Sequence, residues 1–378
     1  MIDTPSLVDQ YCHGVLRTEL GLGTFEAHLG RGDRPPAPGT TFFDTQTGFA
    51  VRRWCPPLLG LEPHCPPARY LARRRELGVM ESGRRLLRGS GITTYLVDTG
   101  LPGDLTGPSE MASAGNADAH EIVRLELLAE QVADTSGTVE SFLANLAESV
   151  HAAAANAVAF TSVAGVRHGL ALAPQPPGPG EVRGAAGRWL AARRVGGPLT
   201  DPVLLRHLLW IAVASGRPLQ LHAGLGEPGL RLDRTDPVLL TDFARATAGL
   251  GTDLILLHGY PYHRHAAHLA GIFPHVYADL GPALARTGAR AAAVLAEILE
   301  LAPFGKLLFS SGAHGLPELH VVGARLFREA LGRVLGGWVA EGAWSLADAQ
   351  RVAGMIGSVT AQRVYGLSLS GTGAAQGG

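Results

Sequence analysis

Short apolar runs recur along the chain, and most are followed by text with helical spacing. Eight of them begin near residues 7, 94, 122, 158, 219, 254, 276 and 307. A regular alternation of strand and helix means a parallel sheet, and eight such units predict a (β/α)₈ TIM barrel. A doubly wound open sheet is the alternative. No Gly-x-Gly-x-x-Gly and no P-loop follows any of the runs, which weakens it. Two helix starts are written the same way. Asp201-Pro202 and Asp236-Pro237 each place a capping acid before a proline at the first helical position.

One long stretch breaks the rhythm. Between Gly30 and Pro67, after the first strand, lie Pro35-Pro36, Pro56-Pro57 and Pro66-Pro67, with aromatic residues at Phe42, Phe43 and Trp54. Proline blocks helix interiors, so the stretch reads as an ordered, irregular insertion. An excursion of this length in a compact domain suits a lid. Arg69–Gly89 then reads as one charged helix. The pattern predicts a single domain over residues 1–367, with a frayed tail at 368–378.

Composition narrows the function classes. Of 378 residues 46% are hydrophobic and the formal net charge is −1, so nothing in the overall charge points to nucleic acid or an anionic membrane. No apolar run is long enough to span a bilayer. Three cysteines (Cys12, Cys55 and Cys65) fit a reducing cytoplasm. All but one of the 32 basic residues are arginine, the exception being Lys306. With the Ala-, Gly- and Pro-rich text, that is the coding bias of a GC-rich bacterial genome.

In a barrel, chemistry sits at the carboxyl ends of the strands. The first run ends in Tyr11-Cys12-His13; residues two apart on a strand share a face, so Tyr11 and His13 point the same way. The later ends carry Thr161-Ser162, His222, His258, Asp279 and Ser311-Gly312. Three histidines from distant strands therefore meet at one end of the predicted barrel.

At these residues the chain resembles the amidohydrolase superfamily, in the amidohydrolase-2 branch that includes the domain of FluG-type proteins. The matching pieces are LQLHAGLGEP (Leu219–Pro228), LLHGYPYHR (Leu256–Arg264), VYADLG (Val276–Gly281) and FSSGAHGLPELH (Phe309–His320), with VRHGL (Val166–Leu170) in the fourth loop. The resemblance implies a metal site built from His-x-His at strand one, a lysine at strand four, histidines at strands five and six, and an aspartate at strand eight. Here His13, His222 and His258 keep that pattern, while Tyr11, Thr161 and Gly312 depart from it. Lys306 cannot replace the strand-four lysine, since six residues of strand carry it about 20 Å towards the other end.

The expectation is therefore an amidohydrolase-fold enzyme that has lost most of its metal ligands and works on a small molecule by acid–base chemistry. Lyase, cyclisation, isomerisation and hydrolysis reactions all remain open, in a setting such as bacterial specialised metabolism. Tyr11, His13, His222 and His258 are the catalytic candidates. Unligated histidines titrate near neutral pH, which suits proton transfer. Thr161, Arg167, Asp279 and His314 are the substrate-binding candidates, Arg167 as a carboxylate clamp, with Glu227 beside the mouth. No metal is expected. The alternative is a zinc hydrolase using His13, His222 and His258 with an activated water; a third reading is a non-catalytic ligand-binding descendant. Partners are expected to be a small-molecule substrate and possible further copies of the chain.

Overall fold

The computed structural model describes residues 2–3, 6–30, 34–226 and 230–368. Glu227 and most of the expected tail lie outside the described residues. Eight parallel strands follow one another around a single sheet: β1 (Leu7–Cys12), β2 (Ile92–Asp98), β3 (Asp118–Arg124), β4 (Ala159–Ser162), β5 (Leu219–Ala223), β6 (Leu254–His258), β7 (Val276–Asp279) and β8 (Leu307–Leu308). Backbone hydrogen bonds join its two edges: Gln10 N to Phe309 O (3.1 Å), Gly312 N to Tyr11 O (3.1 Å) and His13 N to Ala313 O (2.8 Å). The result is a (β/α)₈ barrel.

Alternation along the strands sorts their side chains into two layers. Val8, Leu96, Ile122, Ala159, Ile255, Leu257, Tyr277 and Leu308 fill the interior, closed at the amino-terminal end by Ala361, Val364 and Tyr365. Leu219, Leu221, Leu254, Leu256, Val276 and Ala278 face the surrounding helices. The expected helix caps are present. Asp201 Oδ1 accepts from Val203 N (2.9 Å), and Asp236 Oδ1 accepts from Val238 N (3.0 Å). Among the described residues, no helix is long and apolar enough to cross a membrane.

The insertion differs from its reading as irregular. Gln46–Leu58 is a helix, capped by Thr45 and carrying Pro56 and Pro57 in its last turn. A proline at 56 cannot donate to the carbonyl of Arg52, four residues back. His64 N donates to that carbonyl instead, at 2.6 Å, so the helix survives its prolines. The charged segment after it is also not one helix. It divides into Pro67–Leu77 and Val79–Ser90 at Gly78, whose φ of +79° a side chain would resist.

Candidate active site

A cavity of about 260 Å³ opens at the carboxyl ends of the strands, and Tyr11, His13, His222, His258 and His314 all line it. The local backbone explains how they arrive there. On β1, Asp9 pairs with Tyr95 and Cys12 with Val97, so two residues of β1 face one of β2. This bulge turns both Gln10 and Tyr11 inward. Gln10 meets Gln220 and Tyr365 across the barrel, and Tyr11 joins the interior cluster. His13, two residues on, shares the face of Tyr11 as the spacing predicts.

His222 comes inward by plain alternation, but His258 does not. Leu257 already points inward, so the next side chain of a regular strand would point out. His258 instead adopts φ +68°, a region that side chains other than glycine rarely occupy. Its ring lies 4.9 Å from that of His222. Asp279 accepts from the strained His258 N at 3.1 Å, and also from Gly281 N (2.9 Å) and Ser310 Oγ (3.0 Å).

The phenol ring of Tyr11, only 1% exposed, stands in the middle of the histidines. It contacts His13, His222 and His258 edge-on, with ring centres 5.2, 5.1 and 5.4 Å away. Its hydroxyl donates to Asp98 Oδ2 (2.8 Å) and lies 3.0 Å from His13 Nε2. His13 Nδ1 faces the backbone carbonyl of Asp98 at 2.8 Å. A carbonyl only accepts, so Nδ1 carries the hydrogen and Nε2 of neutral His13 offers a lone pair. The single Tyr11 proton thus sits between two acceptors. Arg124 completes the group, donating through Nε and a terminal nitrogen to Asp98 Oδ2 at 3.2 and 2.6 Å.

Asp98 and Arg124, which the sequence did not single out, are the charged last residues of β2 and β3. They set the electrostatics. Burial raises the Tyr11 pKa well above its ordinary value, with the Asp98 charge adding to it. Burial also pulls His13 down to about 4, against the pull of Asp98. His222 falls well below its usual range through burial, then through His258 and Arg124. His13 and His222 therefore do not titrate near neutrality as expected, because desolvation outweighs the one nearby carboxylate. His222 Nε2 is buried without a hydrogen-bond partner.

The remaining substrate-binding candidates go elsewhere. Thr161 is fully buried and does not line the cavity, and its hydroxyl has no partner. Arg167 faces Glu130 at 3.6 Å and does not line the cavity either. Asp279 is spent on the backbone of the β6 and β7 ends. A residue the sequence did not suggest, Arg286, does line it.

The amidohydrolase family model matches residues 75–367. The chain belongs to the amidohydrolase family. It is 34% identical over 179 residues to protein fluG of Emericella nidulans, a match covering 45% of this chain and 20% of that protein. The matched region is thus about a fifth of that curated relative's length. A structure from Lactobacillus casei, provisionally described as a metal-dependent hydrolase, superposes with a TM-score of 0.85 at 24% identity, covering 97% of this chain and 96% of that one. A uronate isomerase from Thermotoga maritima superposes with a TM-score of 0.60 at 12% identity, covering 95% and 94%. These structural likenesses show the barrel fold.

The family implies a metal, and the residues at its positions in the cavity do not fit one. Tyr11 fills the space between the imidazoles with a protonated phenol. His13, His222 and His258 do not form a group whose ligand atoms lie within 4.8 Å of one another. The strand-eight position is closed as well, because a Cβ on Gly312 would stand 2.8 Å from Pro282 Cδ. Among the described residues one reduced, three-ligand metal-site candidate exists elsewhere, formed by Asp9, Cys12 and His320, all buried. Cys12 belongs to the layer outside the barrel, and the Asp9 oxygens already accept from Ser311 N (2.7 Å) and Ser311 Oγ (2.5 Å). Burial holds the Cys12 thiol well above its ordinary pKa, with Asp9 adding to it.

Proposed function

We propose that this amidohydrolase is a metal-independent enzyme that moves a proton on a small molecule held in the barrel mouth. The observation that carries the reading is the Tyr11 ring, which stands among His13, His222 and His258 where these residues would have to share an ion. His222 is the proton carrier. It lines the cavity, and burial, His258 and Arg124 all oppose the charge it gains, so a proton taken up is readily returned. Give-and-take of one proton suits isomerisation, cyclisation and lyase steps better than generation of a hydroxide. His258, at a strained backbone position, shapes the same face of the cavity.

Tyr11 stays protonated, its hydroxyl engaged by Asp98 and His13, and its ring forms part of the cavity wall. His13 and Asp98 act through it as positioning residues, fixing where that hydroxyl points. The test is to incubate purified protein with a library of small metabolites and follow consumption by mass spectrometry, with and without chelator. Turnover that is indifferent to chelator and lost in His222→Ala supports the reading. Turnover abolished by chelator and restored by zinc contradicts it.

A further inference from the structure

The charges facing the cavity are uneven. Among the described lining residues there is no aspartate or glutamate, while Arg124 and Arg286 are both present. Arg124 is already neutralised, since two of its nitrogens donate to buried Asp98. Arg286 is different. It sits on the short helix Ala283–Thr287 after β7, and its Nε is buried with no hydrogen-bond partner. Among the described residues it forms no ion pair. A guanidinium partly withdrawn from water and left without a counter-charge attracts an anion strongly.

The same cavity is lined by His222, Tyr11 and His314. The facing walls are apolar, with Leu101, Leu225 and Pro282. Resting on the reading of this cavity as the active site, we propose that its substrate is a small carboxylate and that Arg286 is the residue that anchors it. A carboxylate matches the arrangement for two reasons. One uncompensated guanidinium balances one negative charge, and its planar fork meets a carboxylate through two parallel hydrogen bonds. A phosphate dianion would need a second unpaired cation, which the described lining does not supply. Anchored there, the carboxylate leaves the rest of the molecule to reach His222.

Ligand-observed NMR titration of the purified full chain tests this without knowledge of the reaction. The probes are butyrate, its uncharged analogue butyramide, and inorganic phosphate as a competitor. Butyrate is expected to bind at least tenfold more tightly than butyramide, and to weaken as salt rises. Arg286→Gln should remove that preference, Arg286→Lys should restore part of it, and Arg290→Gln, on an exposed side chain outside the lining, should leave it unchanged. Equal binding of butyrate and butyramide by the wild-type chain overturns the proposal even if the variants misfold. So does an unchanged preference in a folded Arg286→Gln protein, or displacement of butyrate by an equal concentration of phosphate. Because no turnover is read, absence of a carboxylate preference in the wild-type chain refutes the anchor alone, whereas chelator-sensitive turnover refutes the proton-transfer reading alone.

Discussion

The hydroxyl of Tyr11 lies 2.8 Å from the carboxylate of Asp98, tying the bulged end of β1 to the end of β2 inside the barrel. A hydrogen bond to a charged acceptor is worth about 1.5–3 kcal/mol, and here its loss also strips His13 Nε2 of its neighbour. Tyr11→Phe is therefore expected to cost about 2 kcal/mol of stability, read by urea unfolding. A cost near zero would mean that the hydroxyl is not held as described.

Asp98 carries more than that one bond. It is the acceptor for the buried Arg124, and Arg124 in turn keeps the carboxyl below its usual pKa against the opposing effect of burial. Asp98→Ala leaves a buried guanidinium unpaired, which typically costs about 3–5 kcal/mol. The double variant Asp98→Ala/Arg124→Met should be more stable than Asp98→Ala alone, since it removes the stranded charge. A thermal unfolding comparison of the single and double variants decides this.

Acid should weaken the fold through its histidines. His13 binds its proton near pH 4 when folded and near pH 6.5 when unfolded. Between those values the unfolded chain holds more protons, so stability falls as pH drops, by up to about 3 kcal/mol. His222 adds in the same direction. Asp279 works the other way, because burial raises it to about 6 and the folded state takes up its proton first as pH falls. Asp279→Asn should therefore steepen the loss of stability between pH 6 and 4, measured as urea midpoints across that range. A shallower slope in the variant would contradict these assignments.

The floor of the cavity leaves no room at Gly312. Its φ of +56° and the close Pro282 ring both oppose a side chain. Gly312→Ala is expected to cost about 1–3 kcal/mol, comparable with other strained backbone positions. Gly312→Asp should be at least as costly and should gain no zinc, even though it restores the family's residue type. Stability and metal content of the two variants check this together.

Much of this architecture was readable because buried parallel strands are continuous apolar runs, and runs such as Leu254–Leu257 are hard to mistake. The shared face of Tyr11 and His13 followed from alternation. The inward turn of both Gln10 and Tyr11 did not, since a bulge depends on the pairing of β1 with β2. The helix Gln46–Leu58 was hidden by Pro56 and Pro57, and His64 from beyond the helix supplies the donor that Pro56 lacks. His258 was read at the right strand end, but its entry into the cavity requires a left-handed backbone that no local pattern announces. Asp98 and Arg124 end apolar runs, but their pairing depends on the neighbouring ends of β2 and β3 and is not visible in either run alone. Arg286 was not legible either, because it lies in a short helix among alanines and gains meaning only from what surrounds it.

The most direct test of the central claim is the zinc content of the wild-type chain and of His222→Ala after equilibration with zinc and removal of the free ion. If Tyr11 occupies the centre of the histidine group, the two proteins retain the same amount, and any zinc held at Asp9, Cys12 and His320 appears equally in both. One equivalent of zinc bound by the wild type and lost in His222→Ala would show that these histidines hold an ion, and would contradict the account.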